Sequence, residues 1–215
     1  MSSYSHADPI SLSFNETCLR MSDIQLLQGP HWLNDQIISF YYEYLQDVKY
    51  KNNPDLLFVA PEVTQCMKFA DDGELETLLN QLEAPKKPFI FFVLNDNETV
   101  QAGGTHWSLL VFSRPEKSFF HFDSWGNNNS HASNQFVQRI KEALNCRICQ
   151  IKSIRCLQQA NGYDCGIHVI CMTDNIADNV NRYECVEGVG PLHQDTISAK
   201  RSDLLKLIQS LGGKI

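Results

Sequence analysis

The chain has 215 residues, is 43% hydrophobic and carries a formal net charge of -7 at pH 7. That length supports a sizeable core in one domain, and an acidic balance without a Lys/Arg cluster excludes nucleic acid as an expected partner. The longest apolar run, residues 89–94, is too short to cross a bilayer, and residues 1–30 lack the layout of a signal peptide. The expectation is a protein with no membrane contact, intracellular in cytoplasm, nucleus or both.

Residues 1–9 read as a flexible polar head, and residues 10–27 alternate weakly, as short strands would. From Trp32 the pattern changes. Ile37, Ile38, Tyr41, Tyr44, Leu45 and Val48 recur at three and four residues, which predicts an amphipathic helix with Asn34 as its cap. Residues 56–60 read as a strand, Pro61 opens a helix at a position where a missing N–H costs little, and residues 74–82 form another short helix stopped by Pro85 and Pro88. Residues 89–94 are apolar at every position, which suits a strand covered on both faces. A polar, glycine-bearing loop over residues 95–105 follows.

Residues 106–113 and 118–124 are rich in aromatic and branched side chains and are separated by Arg114-Pro115-Glu116-Lys117, so they predict a hairpin. Helical spacing returns at residues 134–144, 165–180 and 202–211, and residues 149–154 alternate like a strand. Helices around a mixed, mostly antiparallel sheet make the fold class α+β. The Gly-Gly near the C-terminus reads as the cap of the last helix.

The hairpin carries a chemical consequence. If its turn pairs Ser113 with Ser118, His106 and Asp123 lie diagonally on one face, about 7–8 Å apart between backbones and within reach of each other's side chains. A shift of one residue would put them on opposite faces. A carboxylate on one imidazole nitrogen fixes the tautomer and leaves the other free to exchange a proton, as a general base requires. The competing reading is a His at a strand edge and an Asp at a strand end, each satisfied by water or backbone.

A nucleophile tips the balance. The eight cysteines of a chain without a signal peptide are expected as reduced thiols rather than as a disulfide framework. Among them Cys165 follows the turn-forming Asn161-Gly162-Tyr163-Asp164 and precedes Gly166 and an apolar helical run. It therefore sits at a helix N-terminus, where free N–H groups favour a thiolate. Gly166 is expected to remove bulk where a substrate carbonyl approaches, and the Cys165 N–H with Gln159 to form an oxyanion hole. The other reading of Cys165 is a small buried hydrophobe. Cys146 and Cys149 have the spacing of half a zinc site or a redox pair, but no second CxxC or paired His completes a tetrahedral set. No metal and no cofactor are expected.

Trp32-Leu33-Asn34-Asp35, His106-Trp107-Ser108-Leu109, Phe122-Asp123-Ser124 and Gln159-x-Asn161-x-x-Asp164-Cys165-Gly166 together resemble the successive motifs of the ubiquitin-like-specific, or sentrin-specific, proteases. Pro61-Glu62-Val63-Thr64-Gln65, Asn95-Asp96-Asn97 and Ala102-Gly103-Gly104-Thr105 resemble the deneddylase branch of that family. The resemblance implies a papain-like cysteine-protease fold, with residues 10–215 as a single catalytic domain. It also implies hydrolysis after the C-terminal Gly-Gly of a Nedd-type modifier, as a precursor or joined to lysines of cullins and other proteins. It assigns His106, Asp123, Cys165 and Gln159 to catalysis, Trp32 and Trp107 to the walls of a channel for the Gly-Gly tail, and Asp35, Asn95, Asp96 and Asn97 to contacts with the modifier. A monomer is expected. Alternatives are a desumoylase or dual-specificity protease, a Cys-dependent acetyltransferase, and a silent modifier-binding module.

Overall fold

The computed structural model describes residues 8–215. The expected flexible head falls for residues 1–7 outside the described residues. Asp8 accepts hydrogen bonds from Ser22, and the carbonyl of Pro9 accepts the Met21 N–H. The weakly alternating segment forms a small antiparallel hairpin, β1 (Ile10–Phe14) and β2 (Thr17–Arg20), and then a helix, α1 (Met21–Gln28). The sequence pattern does not announce α1. Its buried apolar residues are only Ile24 and Leu27, and its start carries Arg20 where Ser, Thr, Asp or Asn would signal a cap.

The remaining elements alternate around one sheet. In chain order they are α2 (Asp35–Tyr44), β3 (Leu56–Val59), α3 (Pro61–Phe69), α4 (Asp72–Gln81), β4 (Phe89–Asn95), β5 (Trp107–Ser113), β6 (Ser118–Phe122), α5 (Ser130–Ile140), β7 (Gln150–Ile154), α6 (Cys165–Tyr183) and α7 (Gln194–Ser210). The strand order is β3-β4-β5-β6-β7, antiparallel through the centre and parallel at both edges. Ser113 faces Ser118 across the β5–β6 hairpin, the register that the turn predicts.

Alternation along the central strands divides the interior in two. Phe89, Phe91 and Val93 of β4 face a core shared with Ile37, Phe40, Ile167 and Ile170 of α2 and α6. Ile90, Phe92 and Leu94 face a second core with Met67, Leu79, Phe136 and Ile140 of α3, α4 and α5. Covering on both faces explains why β4 is apolar at every position from Phe89 to Leu94. Phe91 is fully buried, and its ring stacks on that of Phe58 at 4.9 Å between centroids.

Several expectations shift at element ends. The Asn34 side chain accepts the Ile37 N–H at 3.2 Å, as a cap should, but α2 passes into a π-helical turn over Leu45–Lys49. That turn rotates Val48 out of the predicted apolar face, and it is 43% exposed. α5 and α7 begin earlier than their apolar spacing indicates, because their opening turns bury little beyond Ser133 and Ile197. The thiol expectation is corrected at one place. Cys146 and Cys149 form a disulfide in the turn between α5 and β7, which brings their Cα atoms to 5.4 Å, within the ordinary range for such a bond. At the C-terminus Gly212 takes a positive φ of 93° and Lys214 donates its N–H to Ser11, so the Gly-Gly caps α7 and ties it to β1.

Phe91→Ala removes a fully buried ring stacked on Phe58 and is expected to destabilise the fold by about 3–5 kcal/mol, measured by chemical denaturation.

Candidate active site

His106 stands immediately before β5 and Asp123 immediately after β6. The regular ladder ends at Leu109 and Phe122, so the residues beyond it are free to converge. His106 Nε2 and Asp123 Oδ1 lie 2.6 Å apart, and the two residues are 5% and 3% exposed. The carboxylate has further partners. Oδ1 accepts the Trp125 N–H at 2.9 Å and Oδ2 the Asn129 N–H at 2.8 Å. Burial alone would raise the Asp123 pKa, but the hydrogen bonds from His106, Asn129 and Trp125 hold it below the usual carboxylate value. Asn129 also donates its side-chain amide to Ser108 Oγ at 3.0 Å, and Ser108 bonds the ring of His121. Burial pulls His121 down to about 4, so it stays neutral behind the pair.

Burial works against the charged form of His106 too. Hydrogen bonds and charge interactions with Asp123 and Cys165 outweigh it and push the imidazole up to about 9. With Nε2 given to Asp123, Nδ1 is the nitrogen left for the thiol. Cys165 is the first residue of α6 and only 2% exposed. The Asp164 side chain, at the N-cap of α6, makes no capping bond to the helix.

A cleft of about 740 Å³ opens onto Cys165 and His106, with Trp32 and Trp107 among its walls. Both indoles are pinned to backbone: Trp32 Nε1 donates to Gly162 O and Trp107 Nε1 to Leu33 O at 3.0 Å. At Gly166 the expectation of space for a substrate carbonyl gives way to a packing reason. A Cβ there would come within 2.9 Å of the Leu33 side chain, so glycine lets α6 approach the tryptophan loop.

Asp35, Asn95 and Asn97 line the same cleft. The polar atoms of the loop, however, are largely occupied within it. Asn95 Oδ1 accepts the Asn97 N–H at 2.8 Å, and Asn97 Nδ2 donates to Gln101 O at 2.6 Å. Asp96 accepts from the backbone of Thr105 and His106, at 2.6 and 3.1 Å, and so closes the loop against the histidine. Gln159 lies off the cleft wall, its Oε1 accepting from Ser124 Oγ and its Nε2 donating to Asn161 O, both at 2.7 Å.

Sequence reasoning passed over Asn129 and Trp125, whose backbone N–H groups fix Asp123. No motif identifies them, because backbone donors leave no mark on residue type. Pro61, Gln65, Phe69 and Val100 also line the cleft, brought there by α3 and the loop. No group of three or more metal-ligating side chains occurs among the described residues, and no helix there is long and apolar enough to cross a membrane.

Comparison with known proteins is consistent across sequence and fold. The Ulp1 protease family, C-terminal catalytic domain, matches residues 31–209. The chain is 37% identical to sentrin-specific protease 8 of Rattus norvegicus, covering 96% of this chain and 97% of that one. It is 30% identical to NEDD8-specific protease 1 of Arabidopsis thaliana, covering 93% and 92%. Among solved structures, the C-terminal Ulp1 protease domain in complex with Smt3, the yeast orthologue of SUMO, superposes with a TM-score of 0.75 at 20% identity, covering 98% of this chain and 91% of that one. That likeness extends the family's α+β fold over nearly the whole chain. With the family match spanning both tryptophans, the His106–Asp123 pair and Cys165, the chain belongs to the Ulp1 protease family of cysteine peptidases.

Proposed function

We propose that the protein is a deneddylase, cleaving peptide and isopeptide bonds after the C-terminal Gly-Gly of a Nedd-type modifier, with Cys165, His106 and Asp123 as its catalytic triad. The observation that carries the chemistry is the buried 2.6 Å bond between His106 and Asp123, on a histidine whose protonated form is favoured further by the thiol at the head of α6. The substrate follows from the relatives named sentrin-specific protease 8 and NEDD8-specific protease 1. Cullins carrying the modifier are the expected conjugates. A desumoylase remains the second reading, favoured by the fold shared with the Ulp1 domain bound to Smt3.

The Cys165 thiolate attacks the terminal glycine carbonyl while His106, as imidazolium, stands ready to protonate the leaving amine. The developing oxyanion is assigned to the Cys165 N–H and to Gln159, which retains one amide hydrogen beyond its bond to Asn161. Neutral His106 then takes a proton from water, which attacks the thioester and releases the modifier's carboxylate and the thiol. Asp123 keeps the ring oriented throughout. Between Trp32 and Trp107 a tail without Cβ atoms passes most easily, which favours Gly-Gly. Asp35, Asn95 and Asn97 on the cleft wall meet the residues before it, and Asp96 acts by holding their loop to His106.

Two outcomes test this reading. The bond from Asp123 raises the His106 pKa, so the protonated ring persists in the wild type until about pH 9, where kcat/KM is expected to fall. Asp123→Asn removes that support and should move this alkaline limb to lower pH; an unmoved limb assigns it to another group. A Nedd-type modifier bearing a C-terminal electrophile should add to the wild type, by intact mass, and not to Cys165→Ala. Across fluorogenic C-terminal amides the Nedd-type substrate should lead the SUMO-type by about tenfold or more in kcat/KM, and the opposite order would remove the deneddylase assignment.

A further inference from the structure

Asp164 occupies the N-cap of α6, directly before Cys165, yet its carboxylate does not cap the helix. A free aspartate in that position accepts the N–H groups of the second or third helical residue, and its negative charge settles on the positive end of the dipole. Here those are the amides of Gly166 and Ile167, in the first turn of the helix that carries Cys165, and a carboxylate on them would set its charge beside the thiol. The carboxylate is instead held outward by two other side chains. Arg201, on α7, donates Nε and Nη2 to Asp164 Oδ1 at 3.2 and 2.8 Å, and Asn161 Nδ2 donates to Oδ2 at 2.7 Å. The ion pair is half-buried, with 17% of each side chain exposed.

The same guanidinium has two more partners. Nη1 donates to Leu26 O at 2.6 Å and Nη2 to His31 O at 2.7 Å, on either side of the turn that leads into Trp32. Trp32 in turn bonds the carbonyl of Gly162, two residues before Asp164. Four hydrogen bonds from one planar cation therefore link α7, the end of α1, the tryptophan loop and the head of the nucleophile's helix. Lysine, with one rotating ammonium, cannot match that fork.

We propose that Arg201 is a positioning residue that draws Asp164 away from the N-terminus of α6, leaving the first-turn amides and the positive end of that helix to the Cys165 thiolate, and that it fixes the tryptophan loop against the same helix. The proposal rests on Cys165 as nucleophile. It assigns Arg201 no contact with substrate.

The test uses iodoacetamide, small enough to report thiol reactivity without engaging the modifier cleft, together with steady-state hydrolysis of a fluorogenic modifier amide. In Arg201→Met the released carboxylate turns onto the helix, and the alkylation rate of Cys165 and kcat are both expected to fall about five- to tenfold. The double variant Arg201→Met with Asp164→Ala removes the offending charge. Since Asp164 makes no capping bond, α6 loses none, and alkylation should return to within about threefold of the wild type. Arg201→Lys keeps a charge beside Asp164 but loses the fork. It should alkylate within about twofold of the wild type while KM rises about threefold or more, as the tryptophan loop loosens.

A purely structural arginine predicts otherwise: slow alkylation in Arg201→Met that Asp164→Ala leaves unrepaired, and a single-variant loss that tracks the melting temperature. Wild-type alkylation rates in Arg201→Met would also overturn the proposal. If Arg201→Met does not fold, Arg201→Lys decides, because slowed alkylation there is incompatible with a charge-holding role. Failure of the nucleophile assignment is separable: iodoacetamide would then leave Cys165 unmodified in the wild type, or Cys165→Ala would retain activity.

Discussion

The His106–Asp123 bond is the constraint around which this protein is arranged. An ionised carboxylate removed from water is costly unless each lone pair finds a donor, and Asp123 is supplied by one ring nitrogen and two backbone N–H groups. Those donors come from the residue before β5 and from the turn after β6, so the sheet must end where it does for the charge to be tolerated. The neutral His121, Ser108 and Asn129 complete the shell behind it without adding a second charge. The cost of burial is thereby converted into a fixed ring orientation and an imidazole that holds its proton.

The fold serves this arrangement by separating the two halves of the chemistry. The histidine and its acid flank a hairpin at the centre of the sheet, whose register matters because one residue of slip would move every side chain to the opposite face and into the wrong core. The thiol comes from α6, which packs in the core shared with α2. They meet beyond the β5–β6 ladder, which ends at Leu109 and Phe122. Gly166 permits a close approach of α6 to Leu33, so Cys165 and the tryptophan loop are set by one contact.

The electrostatics around the thiol are balanced by position rather than by number. The carboxylate of Asp164, next to Cys165, is paired by Arg201 and Asn161 and makes no bond to the helix end. The acidic chain as a whole therefore says little about the site itself.

Much of this organisation was legible from residue order. Turn chemistry in Arg114-Pro115-Glu116-Lys117 set the hairpin register, and with it the His106–Asp123 couple, because period-two alternation ties register to side-chain direction. The turn before Cys165 and the apolar run after it placed the thiol at a helix start. Apolar positions on both faces of β4 announced a covered strand. By contrast, α1 and the first turns of α5 and α7 were silent, since they bury too few side chains to leave a period. The π turn that exposes Val48 and the Cys146–Cys149 bond depend on local geometry that spacing does not encode. The tertiary structure alone decided that backbone amides of Trp125 and Asn129 hold Asp123, that Asn95, Asp96 and Asn97 brace their own loop, and that Arg201 reaches Asp164 across the molecule. Local sequence determines strands, helix starts and reactive residue types, because those follow from neighbours along the chain. Which donor satisfies which buried charge is settled only when distant segments pack.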